Sequence, residues 1–115
     1  VFNKFKKSKY GNKVTYINKI KFDSKKEAEH YLYLLYEEKI GNITDLRLQP
    51  SYILLNAFVY KGEPNRKITY VADFEYKEKG LLTVVDVKGF KTDIYKLKRK
   101  LFLAKYGHYV TFKEI

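Results

Sequence analysis

Asp86 and Lys88 sit two residues apart in TVVDVKGFKTD, residues 83–93, at the end of the most apolar run of the sequence. In a strand, alternate side chains share a face. This acid and this base therefore point one way while Val85 and Val87 point the other. Removing an ion from water is costly unless it is paired or bound to a metal. An acid at this place can hold a cation, and a lysine beside it can hold or polarise a water. The acid–x–lysine spacing recurs at Asp23-x-Lys25, Glu37-x-Lys39 and Glu75-x-Lys77. Asp23 falls at a helix start. Glu37 falls inside a helix, where residues two apart face different ways. Glu75 is expected to be solvated beside a charged turn. Only Asp86-x-Lys88 closes an apolar strand and runs on into a glycine and a basic helix.

One carboxylate rarely holds magnesium alone. Asp73, in YVADF, is the second, flanked by Val71, Ala72 and Phe74 and expected on the neighbouring strand of a hairpin. Two carboxylates that close repel one another, so the pair makes sense mainly around a cation. The competing reading is two hydrophilic positions on an exposed sheet face, with Lys88 neutralising both. Cysteine is absent and the only histidines are His30 and His108, both expected to be structural. Disulfides and thiolate zinc sites are thereby excluded, and any metal must be a hard cation on oxygen ligands.

The elements that must position these residues follow from periodicity. Residues 1–13 are basic and read as a flexible arm, and 14–115 as one domain. Residues 14–16 and 20–22 form a short hairpin. Ser24 and Glu27 make a capping box at the start of a helix, with Ala28, Tyr31, Leu32, Leu35 and Ile40 as its apolar face and Gly41 as its stop. The period then changes to two, and Pro50 ends that strand. Residues 52–60 read as one extended segment and 61–65 as a turn. Residues 68–76 and 81–88 are two strands of a hairpin. Thr92 or Asp93 caps a second helix that runs to Tyr106, with Ile94, Leu97, Leu101 and Ala104 as its apolar stripe and Gly107 as its stop. Residues 109–112 are the last strand. The expected class is α/β, a mixed central β-sheet flanked by two helices, with an N-terminal hairpin.

The chain has 115 residues, with 24 Lys and Arg against 13 Asp and Glu, a net charge of +11. A domain this basic is expected to meet a polyanion, nucleic acid first. Lys91 just before the second helix and Lys96, Lys98, Arg99 and Lys100 along it are the candidate DNA contacts, with Lys9 and Lys13 near the N-terminus. Contacts from such residues to phosphate position DNA without reading its sequence. No apolar run approaches the ~20 residues needed to cross a bilayer, and no leader pattern or membrane partner is expected.

Glu27 on the first helix, then Asp73, then Asp86-Val87-Lys88 resembles the PD-(D/E)xK nuclease superfamily. Ala72 stands before Asp73, where that family commonly has proline. Gln49-Pro50 resembles the glutamine–proline element of TnsA-type transposon-end endonucleases. The succession SKKEAE, LQP, ADF and DVKGFKTD looks like a small phage-associated family of this superfamily, with likeness to Holliday-junction resolvases. The resemblance implies a restriction-endonuclease-like core and a metal-dependent DNA endonuclease acting in the cytoplasm of a bacterial host. It implies Mg²⁺, for which Mn²⁺ can substitute, on Asp73, Asp86 and the carbonyl of Val87, with Glu27 completing the site. Lys88 would hold the attacking water, and Gln49 would contact the lysine, the water or the phosphate. Branched DNA is the expected substrate. A homodimer, or a phage or host protein partner, is expected because cutting both strands takes two sites. The alternatives are a nuclease fold kept for DNA binding without cleavage, and a basic structural protein of a ribonucleoprotein.

Overall fold

The computed structural model describes residues 13–115. Lys9 and nearly all of the basic arm expected at 1–13 lie outside the described residues; Lys13 is exposed. The chain is mixed α/β. A short hairpin, β1 (Thr15–Ile17) and β2 (Ile20–Phe22), leads into α1 (Lys25–Lys39). Ser24 caps that helix, its hydroxyl accepting the Glu27 N–H at 3.0 Å. There follow β3 (Thr44–Leu48), β4 (Ser51–Leu55), β5 (Phe58–Tyr60), β6 (Glu63–Asn65), β7 (Ile68–Val71), β8 (Phe74–Glu78) and β9 (Leu81–Asp86). Thr92 caps α2 (Asp93–Tyr106), and β10 (Val110–Glu114) ends the order.

Four strands make the central sheet in the order β10-β9-β8-β3. The β9–β10 pair is parallel and is bridged by α2, as a parallel pair requires. The other pairs are antiparallel. Both faces are covered. Phe74, Tyr76, Val85 and Val87 pack with Ala28, Tyr31 and Leu34 of α1, while Val84 packs with Tyr95 and Phe102 of α2. That explains the unbroken valines of β9: a strand covered on both faces has no water-facing positions to fill.

Two readings of long strands are corrected. Residues 52–60 divide into β4 and β5, and 68–76 into β7 and β8. The second division matters, because Ala72 and Asp73 are where the chain leaves the central sheet. Opposite them, Gln49 and Pro50 do the same. The two breaks are joined: Gln49 N–H donates to the Asp73 carbonyl at 2.9 Å, and Ala72 N–H to the Pro50 carbonyl at 3.1 Å. Gln49 meets this bend with a φ of 50°. The register Leu48↔Phe74 continues across the joint to Ser51↔Val71 and Tyr52↔Tyr70. Beyond a one-residue slip it runs on from Leu55↔Ile68 to Tyr60↔Glu63. Residues 44–78 are thus one long bent hairpin. Residues 61–65, expected to be a turn throughout, turn only at Lys61-Gly62, where φ is 48° and 81°. Two positive φ values in a two-residue loop are what the twist of flanking antiparallel strands asks for.

On α1 the expected stripe is buried in part, with Ala28 and Tyr31 in the core and Leu35 packed against it, and on α2 the expected stripe is not buried. On α1 the buried residues are Glu27, Ala28, Tyr31 and Leu34, while Leu32 and Ile40 are each 50% exposed. On α2 they are Tyr95 and Phe102, while Ile94, Leu97, Leu101 and Ala104 face outward. In each case aromatic rings set the rotation. Tyr31 lies 5.0 Å from the Phe22 ring, and Phe102 lies 5.0 Å from Tyr70 and 4.9 Å from Tyr52. Such rings bury more area than a leucine and fix their own geometry.

Candidate active site

Three separate stretches bring the expected site residues together. Glu27 comes from the first turn of α1, Asp73 from the joint between β7 and β8, and Asp86, Val87 and Lys88 from the end of β9 and just beyond. Glu27, Asp73, Val87 and Lys88 line one open pocket of ≈ 230 Å³ together with Ser24, Thr92 and Tyr95. Ser24 and Thr92 are the N-caps of α1 and α2, so both helices begin at this pocket. Helix starts carry partial positive charge and free N–H groups, which suits anions.

Asp86 lies beneath the pocket and is fully buried, not on an exposed sheet face. Its Oδ2 accepts the Tyr70 hydroxyl. Its Oδ1 stands 2.9 Å from the Lys88 ammonium, an ion-pair contact whose angles do not make a hydrogen bond. The Lys88 ammonium in turn lies 4.5 Å above the Tyr95 ring. Tyr70 is held firmly in its protonated form by burial and then by the Asp86 carboxylate, so it can only donate to that acid.

Asp73 is anchored by its neighbour strand, with Oδ2 accepting the Val87 N–H at 2.7 Å and its own N–H reaching the Val85 carbonyl at 3.1 Å. Its carboxyl is raised well above the usual range by burial first, then by Asp86 and Glu27. Glu27 is raised to about 7 by burial first, then by Asp23, with Lys88 opposing and Asp86 adding to the rise. Glu27 and Asp73 line one pocket, and the Glu27 charge raises Asp73, a repulsion that a proton on either carboxyl relieves. A cation is the other means of holding them together. Hard oxygen donors, mutual repulsion and partial burial fit a divalent ion on Glu27, Asp73 and the Val87 carbonyl. Asp86 could join only by loosening its hold on Lys88. Among the described residues no three His, Cys, Asp or Glu side chains are already grouped as a cation cage.

Gln49 is tied to the site through its backbone bond to Asp73, and its side chain is on the exposed surface. The basic residues divide into two sets. Lys96 and Lys100 are exposed on α2, and Lys98 is half-buried. Lys91 and Arg99 are held by Glu114, at 2.9 and 2.7 Å. Tyr95 also donates its hydroxyl to Glu114. Burial raises the Glu114 carboxyl, but the bonds from Tyr95, Lys91 and Arg99 outweigh it and hold the group at about 2.

Sequence reasoning missed Tyr70, Tyr95 and Glu114, and it missed Lys26, whose ammonium donates to the Lys88 carbonyl at 3.4 Å. Tyr70 opens the apolar stretch before Asp73 and offered a weak signal; Glu114 offered none, because its partners are distant in sequence. Glu75 was expected in solvent and is instead buried, accepting the Tyr52 hydroxyl at 2.5 Å with Arg47 3.6 Å away. The ladder turns Glu75 inward, opposite Val84.

Residues 7–113 match a family described as a protein of unknown function, DUF1064. The chain belongs to that family. The matched span contains Glu27, Gln49, Asp73, Asp86 and Lys88, together with both helices. No curated protein matches the chain. No helix among the described residues is long and apolar enough to cross a membrane.

Proposed function

We propose that this member of the family is a Mg²⁺-dependent endodeoxyribonuclease with a PD-(D/E)xK core. The observation that carries the reading is the meeting of Glu27, Asp73, Val87 and Lys88, from three stretches of chain, at one pocket where both helices begin. The order α1, β3, β8, β9, α2, β10 supports the fold assignment, with residues 49–73 as an excursion between β3 and β8.

Hydrolysis of a phosphodiester joins a water oxygen to phosphorus, breaks one ester P–O bond, and moves a proton from the water to the leaving side. A divalent cation supplies Lewis acidity there and lowers the pKa of a bound water. Glu27, Asp73 and the Val87 carbonyl would hold it, with Asp86 joining once Lys88 turns outward. Lys88 both touches Asp86 and lines the pocket, so its ammonium can orient the water or neutralise the phosphate. Burial raises Glu27 to about 7 in the metal-free site, so it would give up its proton as the cation binds. The N–H groups at the start of α2 and the exposed Lys96 and Lys100 suit the flanking phosphates. Action as a homodimer, or with a phage or host partner, belongs to the same proposal.

The test is incubation with linear, nicked, flapped and four-way DNA in Mg²⁺, Mn²⁺ or EDTA. Cleavage that needs the metal supports the reading, and none on any substrate refutes it. A second reading, a DNA-binding module without cleavage, is favoured by one observation: Tyr70 and Lys88 already occupy both oxygens of Asp86.

A further inference from the structure

Every residue from 55 to 68 is exposed, yet β5 and β6 within that stretch are regular paired strands. A two-stranded ribbon bare on both faces is marginal in water on its own. This one nevertheless carries large apolar side chains. Val59 is 71% exposed, Tyr60 61% and Phe58 46%. Register places Phe58 opposite Asn65 and Tyr60 opposite Glu63, so the two rings share one face of the ribbon near its tip. Val59 and Pro64 occupy the other. Lys61, at the turn, lies 5.4 Å from the Tyr60 ring, and Arg66 and Lys67 follow β6. Glu63 is the one acid in this stretch, so the tip is net basic.

We propose that residues 55–68 are a second nucleic-acid contact, which stacks Phe58 and Tyr60 on unpaired bases and sets Lys61, Arg66 and Lys67 on the adjoining phosphates. Two rings on one face at strand spacing, among cations, match what a single-stranded segment offers: a π-face on each base and a charge on each phosphate. Paired bases inside a duplex offer their faces to one another instead. The ribbon is also rooted at Asp73, since residues 51–71 leave the sheet at the joint of Pro50 and Ala72. At about 3.3 Å per residue it reaches on the order of 30 Å from that root. A strand gripped at the tip is thereby held at a set distance from the pocket. This inference rests on the DNA partner of the proposed function but not on catalysis.

The experiment is binding of the full chain, in EDTA, to a labelled duplex and to the same duplex carrying a short single-stranded gap. The unaltered chain is expected to prefer the gapped DNA. Phe58→Ala with Tyr60→Ala is expected to weaken gapped binding about tenfold or more and duplex binding little. Phe58→Leu with Tyr60→Leu keeps the apolar bulk without the rings, and the same loss is expected. Lys61→Ala with Lys67→Ala is expected to flatten the salt dependence on the gapped probe. Unchanged gapped affinity in the ring variants overturns the inference and leaves the nuclease reading standing. So does equal loss on both probes, or a change of oligomeric state in sedimentation with DNA affinity unchanged, which would assign the ribbon to a second copy. No DNA binding by the unaltered chain overturns both.

Discussion

The Lys88 ammonium lies 2.9 Å from an oxygen of Asp86, a residue buried almost completely, while Lys88 itself keeps about a quarter of its side chain in water. The acid is enclosed, and the lysine is the partner that reaches water. Two residues that share one strand face therefore have unequal exposure, and their variants should behave differently.

Asp86→Asn keeps the shape and the Tyr70 contact but removes the charge. It is expected to abolish Mg²⁺-dependent cleavage while leaving DNA binding intact or tighter. Cleavage and binding measured on one preparation check this, and cleavage at the unaltered rate would end the nuclease site as drawn.

Lys88→Ala leaves Asp86 charged and buried without its cation. Breaking a buried pair in this way costs about 3–5 kcal/mol, and less here because Lys88 is partly solvated, so about 1–3 kcal/mol is expected. Urea denaturation at neutral pH reads the loss. Adding back the Asp86→Asn change should recover much of it, since the stranded charge is then gone.

Lys96→Ala with Lys100→Ala is expected to weaken DNA binding without unfolding the domain, and to lower the log–log salt slope by about 1.8, at ~0.9 per lost phosphate contact. Arg99→Ala should change affinity less and stability more, because Glu114 already holds that guanidinium. Equal salt slopes for all variants would make this face of α2 a bystander.

Glu114 has a folded pKa of about 2 against an ordinary 4.5. A depressed carboxyl contributes stability that is fully present above 4.5 and is lost as the pH falls toward 2. Glu114→Gln should therefore be less stable than the unaltered chain at neutral pH, with the gap closing through that acidic window. Denaturation midpoints across the range give the answer, and a gap that persists at the acid end would mean that packing, not charge, carries the contribution.

Local chemistry was legible in the sequence, and rotation was not. The Ser24 cap, the Thr92 cap, the glycine turns and the apolar run of β9 are each decided within a few residues. Asp73, Asp86 and Lys88 stood out because charge interrupts an apolar pattern. Leu34 was passed over for Leu32, and Tyr95 for Ile94, because aliphatic spacing alone offers two neighbouring stripes per helix. The choice falls to rings such as Phe22, Tyr52 and Tyr70, which come from other elements. The break at Ala72-Asp73 was hidden for a related reason. Its partner is the break at Gln49-Pro50, and only the pairing of the two turns an apparently continuous strand into a joint.

That joint makes the span of the ribbon an adjustable ruler. Leu55↔Ile68, Phe58↔Asn65 and Tyr60↔Glu63 keep one register, so residues can be removed in facing pairs without shifting Asp73 or the ladder beneath it. Each pair removed shortens the reach by about 3.3 Å. The spacing between tip and pocket is thus a variable that can drift or be engineered while the carboxylates stay where they are.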